Sequence, residues 1–349
     1  MQTTPPSILP APLREALNQL GSMLAYGGRV AEEVDIIIGL FAQLPAETIS
    51  KAALEIRAQA WLYGWRKPQS ALAKLFTRRP TDKEQLDKVR GLEYIFLFHG
   101  DGRIREAALL KISGGLPNPF IFAAVGLCLN DWVEQVRSAA ALCAGRNYVL
   151  TKPAIIARTA KVFLVGDRGW SRWHQAQRLC LGEAFKRADV GEYLAEIFIN
   201  DATGRQATML RYALQNANMD SHLERIARQA VQPSVRAVAL QTLIDGKANW
   251  PSGRGWEWID KPMGERRWKT TYSQRPLTVT CDKFLMLGRG INDRSAIVRN
   301  MVLTAVMVHQ LGAQDALSFA RRLIADPVAS VRQRAQFIVK SSASDLPSG

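Results

Sequence analysis

Apolar residues recur at spacings of three and four along most of the chain. Pro12 to Ala25, Ala31 to Leu44, Ala46 to Tyr63 and Pro68 to Phe76 each carry one apolar stripe, the pattern of a helix with one buried face. From about residue 85 the helical pattern gains a recurring mark, an Asp followed after four residues by Val-Arg. It occurs at Asp131 with Val136 and Arg137, at Asp293 with Val298 and Arg299, and at Asp326 with Val331 and Arg332. Each copy opens a run of small and apolar residues: Ala140 to Leu142, then Val302, Leu303 and Val306, then Ala335, Phe337 and Ile338. Weaker copies stand at Arg105, Arg205 and Arg236, and Trp173 takes the arginine's place six residues after Asp167. Successive marks lie 31 to 36 residues apart, with one interval of 63. Two helices and two short turns need about 30–40 residues, so each interval is the length of one helical hairpin.

The long interval changes pattern abruptly. It holds Trp250, Trp256, Trp258 and Trp268, four of the nine tryptophans, among Pro251, Pro262, Pro276, Gly253, Gly255 and Gly264. Those prolines and glycines forbid a continuous helix, and Trp256 to Tyr272 reads as a β-hairpin. A three-residue loop at Pro262, Met263 and Gly264 would set Lys261 opposite Glu265, Asp260 opposite Arg266, Ile259 opposite Arg267 and Trp258 opposite Trp268. Alternation then puts Trp256, Trp258, Trp268 and Tyr272 on one face, with Ile259, Arg267 and Lys269 on the other. Such a hairpin is marginal alone, so its aromatic face is expected either to pack on neighbouring helices or to receive a partner.

The Asp and Val-Arg element opening a small-residue helix resembles the second helix of HEAT-like repeats of the short bacterial type, over roughly residues 85 to 340. The resemblance implies an all-α fold, a right-handed α-solenoid of helical hairpins with one inserted β-hairpin, continuous as one domain and offering a concave binding face. It also implies structural roles: Asp131, Asp293 and Asp326 at inter-helix turns, and Arg137, Arg299 and Arg332 tying adjacent hairpins. On this reading residues 1–9 are a flexible tail and 10–84 a divergent helical cap. HEAT-like repeats fill 85–248 and 281–340 around the insertion at 249–280, and 341–349 form a disordered tail. The spacing is shorter than the about 40–47 residues of standard HEAT units.

Composition narrows the function classes. Of 349 residues 47% are hydrophobic, which excludes disorder throughout. The longest apolar runs, Ile36 to Leu44 and Phe120 to Leu129, are far short of the roughly 20 residues of a membrane-spanning helix. The polar, Pro-rich start lacks a secretory pattern, so a cytoplasmic location is expected. Cys128, Cys143, Cys180 and Cys281 are widely spaced in apolar surroundings, as buried reduced thiols are. With 46 Lys+Arg against 31 Asp+Glu the formal charge is +15, which points to an acidic macromolecule as partner, nucleic acid or a protein complex. Residues 201–300, with 16 basic and 9 acidic groups, hold the largest excess.

Candidate chemistry follows the aromatic and basic clusters. The hairpin residues Arg254, Trp256, Trp258, Arg266, Arg267, Trp268, Lys269 and Tyr272 form the first candidate surface, with Arg275 as a further phosphate-gripping group. Arg168, Trp170, Arg172 and Trp173 form a second, and Trp61, Tyr63, Trp65, Arg66 and Lys67 another aromatic-basic cluster. The four histidines are isolated, and there is no zinc spacing, phosphate loop or nucleophile elbow. Gly288, Arg289 and Gly290 read as a helix-connecting turn. The expectation is therefore a non-catalytic binding or scaffold protein without metal or cofactor. The alternative rests on similarity to bacterial DNA-alkylation repair proteins, HEAT-like solenoids that excise alkylated bases from duplex DNA. Asp131, Trp132, Trp170 and Trp173 would then take the catalytic and base-contacting roles.

Overall fold

The computed structural model describes residues 7–63, 80–165, 175–309 and 311–344. Among these are 19 α-helices and one two-stranded antiparallel sheet, so the fold is mostly helical with a single β-hairpin, as the periodicity predicts. No described helix is long and apolar enough to cross a membrane. The chain forms two compact units, residues 1–190 and 191–349, where the sequence suggests one continuous array.

The first unit contains α1 (Ala11–Tyr26), α2 (Val30–Phe41), α3 (Ile49–Gln59), α4 (Asp82–Lys88), α5 (Leu92–Phe96), α6 (Gly102–Lys111), α7 (Pro119–Cys128), α8 (Glu134–Asn147), α9 (Pro153–Ala157), α10 (Ala160–Phe163) and α11 (Gln175–Lys186). Helix α12 (Ala188–Asn200) crosses the boundary. The second unit continues with α13 (Gln206–Ala213), α14 (Leu223–Gln229), α15 (Pro233–Asp245), β1 (Lys247–Asp260), β2 (Glu265–Pro276), α16 (Lys283–Ile291), α17 (Ala296–Val308), α18 (Ala313–Arg321) and α19 (Ala329–Ser344).

Local sequence sets where helices begin. Thr81 and Glu84 form a reciprocal capping box on α4, Asn118 caps α7 ahead of Pro119, and Asp282 and Ser295 cap α16 and α17. Each cap supplies an acceptor to backbone N–H groups that the first turn leaves unpaired. The apolar stripes then close the cores. In the first unit Phe41, Phe98 and Phe120 meet with ring centroids 5.2 to 6.0 Å apart, and Phe122 stacks on Tyr148 at 4.2 Å. In the second, α13 packs on α15, α15 on α17 and α17 on α19, while α14, α16 and α18 each pack on the helix that follows. Leu210, Val235, Leu240, Val302, Leu303 and Val331 fill these contacts, all buried.

One polar device recurs through both units. Arg105 donates through Nη1 to the carbonyls of His99 and Gly100, and through Nε and Nη2 to both oxygens of Asp131 at 2.9 Å. Arg236 does the same with the carbonyls of Ala230 and Val231 and the carboxylate of Asp293. Arg299 repeats it with the Asp293 carbonyl and the Asp326 carboxylate. Arg137 and Arg332 make the carbonyl half, to Asp131 and Trp132 and to Asp326 and Pro327. Each aspartate also accepts the N–H two residues on, from Val133, Ser295 and Val328, an Asx turn that launches the next helix.

The clasp also measures the insertion. Arg105 and Asp131 are 26 residues apart and Arg299 and Asp326 27, whereas Arg236 and Asp293 are 57 apart. The difference of thirty from the 27-residue step equals the length of 247–276. The 63-residue interval is therefore one ordinary step with a β-hairpin spliced into it.

Several boundaries move. Residues 7–9 of the expected flexible tail are pinned, because the Glu55 carboxylate accepts from Ser7 Oγ and from the Ile8 and Leu9 N–H groups, and Leu9 is buried. Strand β1 starts at Lys247, ahead of the expected 249, and α19 runs to Ser344, past 340. Gly288 to Gly290 lie inside α16, not in a turn. A Cβ on Gly290 would come within 2.3 Å of Val302 and 2.5 Å of Leu240, so glycine there lets α16 approach α15 and α17.

A buried arginine–carboxylate pair is strongly destabilising once one partner is removed, at about 3–5 kcal/mol. Replacing Arg299 by Ala strands the buried Asp326 carboxylate, and thermal melting is expected to show a loss of that size. Acid should act in the same direction. Burial raises the Asp293 carboxyl, but the bonds from Arg236 and the Ser295 N–H hold it below its ordinary 3.8. At Asp326 the Arg299 bonds lead and outweigh burial. The unfolded chain therefore takes up protons first. The clasp contribution is complete above about pH 5 and is lost as pH falls through 3.8 and below. Melting temperature is expected to drop over that range, and to drop less steeply in Asp326→Asn.

Candidate partner-binding hairpin

The two strands pair from Lys247 opposite Pro276 to Asp260 opposite Glu265, with irregularities at Ser252 and Ile259. The register differs from the one the sequence suggests. Trp256 faces Trp268, Glu257 faces Arg267 and Trp258 faces Arg266. The cause is the turn, which spans Lys261 to Gly264: the Asp260 carboxylate accepts the Met263 N–H, the Lys261 carbonyl accepts the Gly264 N–H, and Gly264 takes φ +71°. The four-residue loop and the bulge at Ile259 shift the pairing, so Asp260 does not meet Arg266.

The root is fastened to the second unit by charge. Arg275 donates through Nη1 and Nη2 to both oxygens of Asp220 at 2.8 and 2.7 Å, and to the carbonyls of Leu214 and Asn216. Thr278 adds its N–H and hydroxyl to the same carboxylate. Asp220 is 1% exposed. Burial pushes its carboxyl up, but the bonds from Arg275 and Thr278 overcome that and hold it below its ordinary value. Ala248 is buried, and β1 packs on α13 and α15. Arg275 is thus committed to holding the hairpin, and the expectation that it grips phosphate is corrected.

Alternation through the observed register sorts the rest by face. Ala248 and Arg275, which dock the root, share a face with Glu257, Asp260, Glu265, Arg267 and Lys269. There Glu257 accepts from Arg267 at 2.9 and 3.0 Å and from Lys269 at 2.6 Å, and the bonds from Lys269 and Arg267 hold its carboxyl below the ordinary value. The opposite, outer face carries Arg254, Trp256, Trp258, Arg266, Trp268, Thr270 and Tyr272 and no carboxylate. Trp256 and Trp268 touch with centroids 4.5 Å apart, and the Arg266 guanidinium lies 4.4 Å from the Trp256 ring centre and 5.9 Å from that of Trp258. Trp256 and Trp258 are 49% exposed, Trp268 59% and Tyr272 57%. These rings therefore remain open to solvent.

The hairpin brings together the eight residues singled out in the sequence but splits them, with Arg267 and Lys269 both bonded to Glu257 on the docking face. Trp61 and Tyr63 are exposed beyond the end of α3. Arg168, Trp170, Arg172 and Trp173 lie outside the described residues, as do Trp65, Arg66 and Lys67. Trp132 is 75% exposed, while the neighbouring Asp131 carboxylate is taken up by Arg105 and the Val133 N–H. Sequence reasoning missed Asp220, whose partner is 55 residues away. Among the described residues no cluster of His, Cys, Asp and Glu could hold a metal ion. Burial pushes the Cys143 thiol up to about 11 and that of Cys128 further, so neither is a nucleophile near neutrality.

Arg275→Ala leaves Asp220 buried without its cation, and a loss of about 3–5 kcal/mol is expected in thermal or denaturant melting. Trp258→Ala and Arg266→Ala alter exposed groups and are expected to melt within about 0.5 kcal/mol of the parent. Equal destabilisation by all three would show that the outer face is structural.

Compared with family models, curated proteins and solved structures, the chain matches none, so the functional reading rests on its own geometry.

Proposed function

We propose that this chain is a non-catalytic binding protein that engages an acidic macromolecule through the outer face of the inserted hairpin. The observation that carries this is the segregation within the hairpin. Four large aromatic side chains and two arginines stand exposed on a face without carboxylates, on a hairpin fixed at its root by a buried ion pair. Aromatic anchors beside arginine are the groups that carry most binding energy in interfaces, and leaving such rings in water has no folding benefit. The formal charge of +15 adds a long-range attraction for polyanions.

The recurring arginine clasp, its 26- or 27-residue step and the packing of alternate helices support a right-handed stack of HEAT-like hairpins as the scaffold. In that arrangement the clasp would fix each turn against the next, and the hairpin would be a binding attachment added at one step.

The test is fluorescence anisotropy with labelled polyanions at low and at about 150 mM salt. Binding is expected to weaken with salt in proportion to the charges contacted. Arg254→Glu with Arg266→Glu should lower affinity about tenfold or more, whereas Arg267→Glu with Lys269→Glu on the docking face should change it about threefold or less. Equal losses from the two pairs, or no binding at low salt, would overturn the reading.

A further inference from the structure

We infer that the space shared by Trp256 and Trp258 takes one unpaired base of a single-stranded nucleic acid, with Arg266 leaving the rings to bind the adjoining phosphate. This rests on the reading of the outer face as a polyanion-binding surface and narrows it to one chemistry. Side chains on alternate residues of a strand stand about 6.6–6.8 Å apart. That is about twice the 3.4 Å stacking repeat of a nucleic-acid strand, the separation at which two rings accommodate one flat aromatic group between them.

A flat group already lies over both rings, closer to Trp256 than to Trp258. The Arg266 guanidinium sits over Trp256 and Trp258, and among the described residues no carboxylate or carbonyl binds it. The other cations of the strand differ: Arg267 and Lys269 are tied to Glu257, and Arg275 to Asp220. Arg266 is therefore held by ring faces alone and is free to exchange. Its planar fork matches a phosphate in two hydrogen bonds, so moving outward trades a cation–ring contact for a charge-assisted one while the base fills the vacated space. Trp268, whose ring centroid lies 4.5 Å from that of Trp256, keeps that ring in place. Arg254, on the same face, gives the neighbouring phosphate a second cation. Paired bases cannot enter, which selects single strands, and stacking accepts any base.

Four labelled probes separate the possibilities at about 150 mM salt: an oligothymidylate of about 12 nucleotides, the same backbone without bases, a duplex, and polyphosphate of matched charge. The oligothymidylate is expected to bind about tenfold or more tightly than the other three and to quench tryptophan fluorescence. Trp258→Ala should bring it to the level of the abasic strand, and Trp258→Phe should keep most of the preference. Arg266→Ala should weaken every probe while the preference for bases survives. Equal binding of the oligothymidylate, the abasic strand and polyphosphate would overturn the base-stacking inference and leave the polyanion reading standing. A preference for duplex would also overturn it. Failure of all four to bind would overturn both.

Discussion

The structure depends on arginine side chains that are buried and yet donate hydrogen bonds through all three guanidinium nitrogens. Arg105, Arg236 and Arg299 are each almost completely removed from water, a transfer that costs several kcal/mol per charge unless its hydrogen bonds are replaced. They are replaced by carbonyls five or six residues earlier and by an aspartate in the next turn. Because the guanidinium is a rigid fork, the two turns it joins must sit at one separation and one orientation. The aspartate closes an Asx turn with the same carboxylate, so the position of one helix start is transmitted to the next. Apolar packing supplies most of the cohesion, but it is non-directional; the clasp supplies the geometry.

That constraint explains how thirty residues of a different structure can be accommodated. Arg236 still reaches Asp293 across the hairpin, and α15 still packs on α17. The hairpin has to leave and return at almost one point, which antiparallel pairing from Lys247 with Pro276 provides. Arg275 and Asp220 then fix its direction. A two-stranded sheet is weak alone, and here three local features support it: a buried root, the Trp256–Trp268 contact and the Glu257 bonds to Arg267 and Lys269. None of them needs the outer face to be covered.

The helical character was legible because apolar spacing survives in the sequence, and the hairpin because Pro262, Gly264 and alternating tryptophans leave few other options. The Asp and Val-Arg mark was visible too, but its meaning was only half readable. Arg137, Arg299 and Arg332 bond the carbonyl of the aspartate in their own copy, whereas the carboxylate bound by Arg105, Arg236 and Arg299 belongs to the following copy, a relation that appears only in three dimensions. The register failed at one residue: whether Ile259 bulges depends on the turn, and a four-residue turn with an Asp260 side-chain bond is not distinguishable by composition from a three-residue loop. Arg275 looked like one more surface cation because Asp220 is 55 residues away. Gly290 looked like a turn because glycine serves both for backbone freedom and for close approach.

The misread register hid the property that matters most for the proposed binding. Under the expected pairing Asp260 would have neutralised Arg266 and the two faces would have been of mixed sign. In the observed pairing Glu257, Asp260 and Glu265 all fall on the docking face, leaving Arg254 and Arg266 unopposed among the rings. Side chains on opposite faces of a sheet project in opposite directions, so the thickness of the hairpin and the screening of exposed charges by salt both stand between the outer face and those carboxylates. A ligand on the outer face is therefore largely screened from those carboxylates, and one approaching the docking face meets them directly. On the proposed function, the net charge of the whole chain would draw a polyanion in from any direction, whereas the arrangement of a dozen residues in one hairpin would decide which side it occupies.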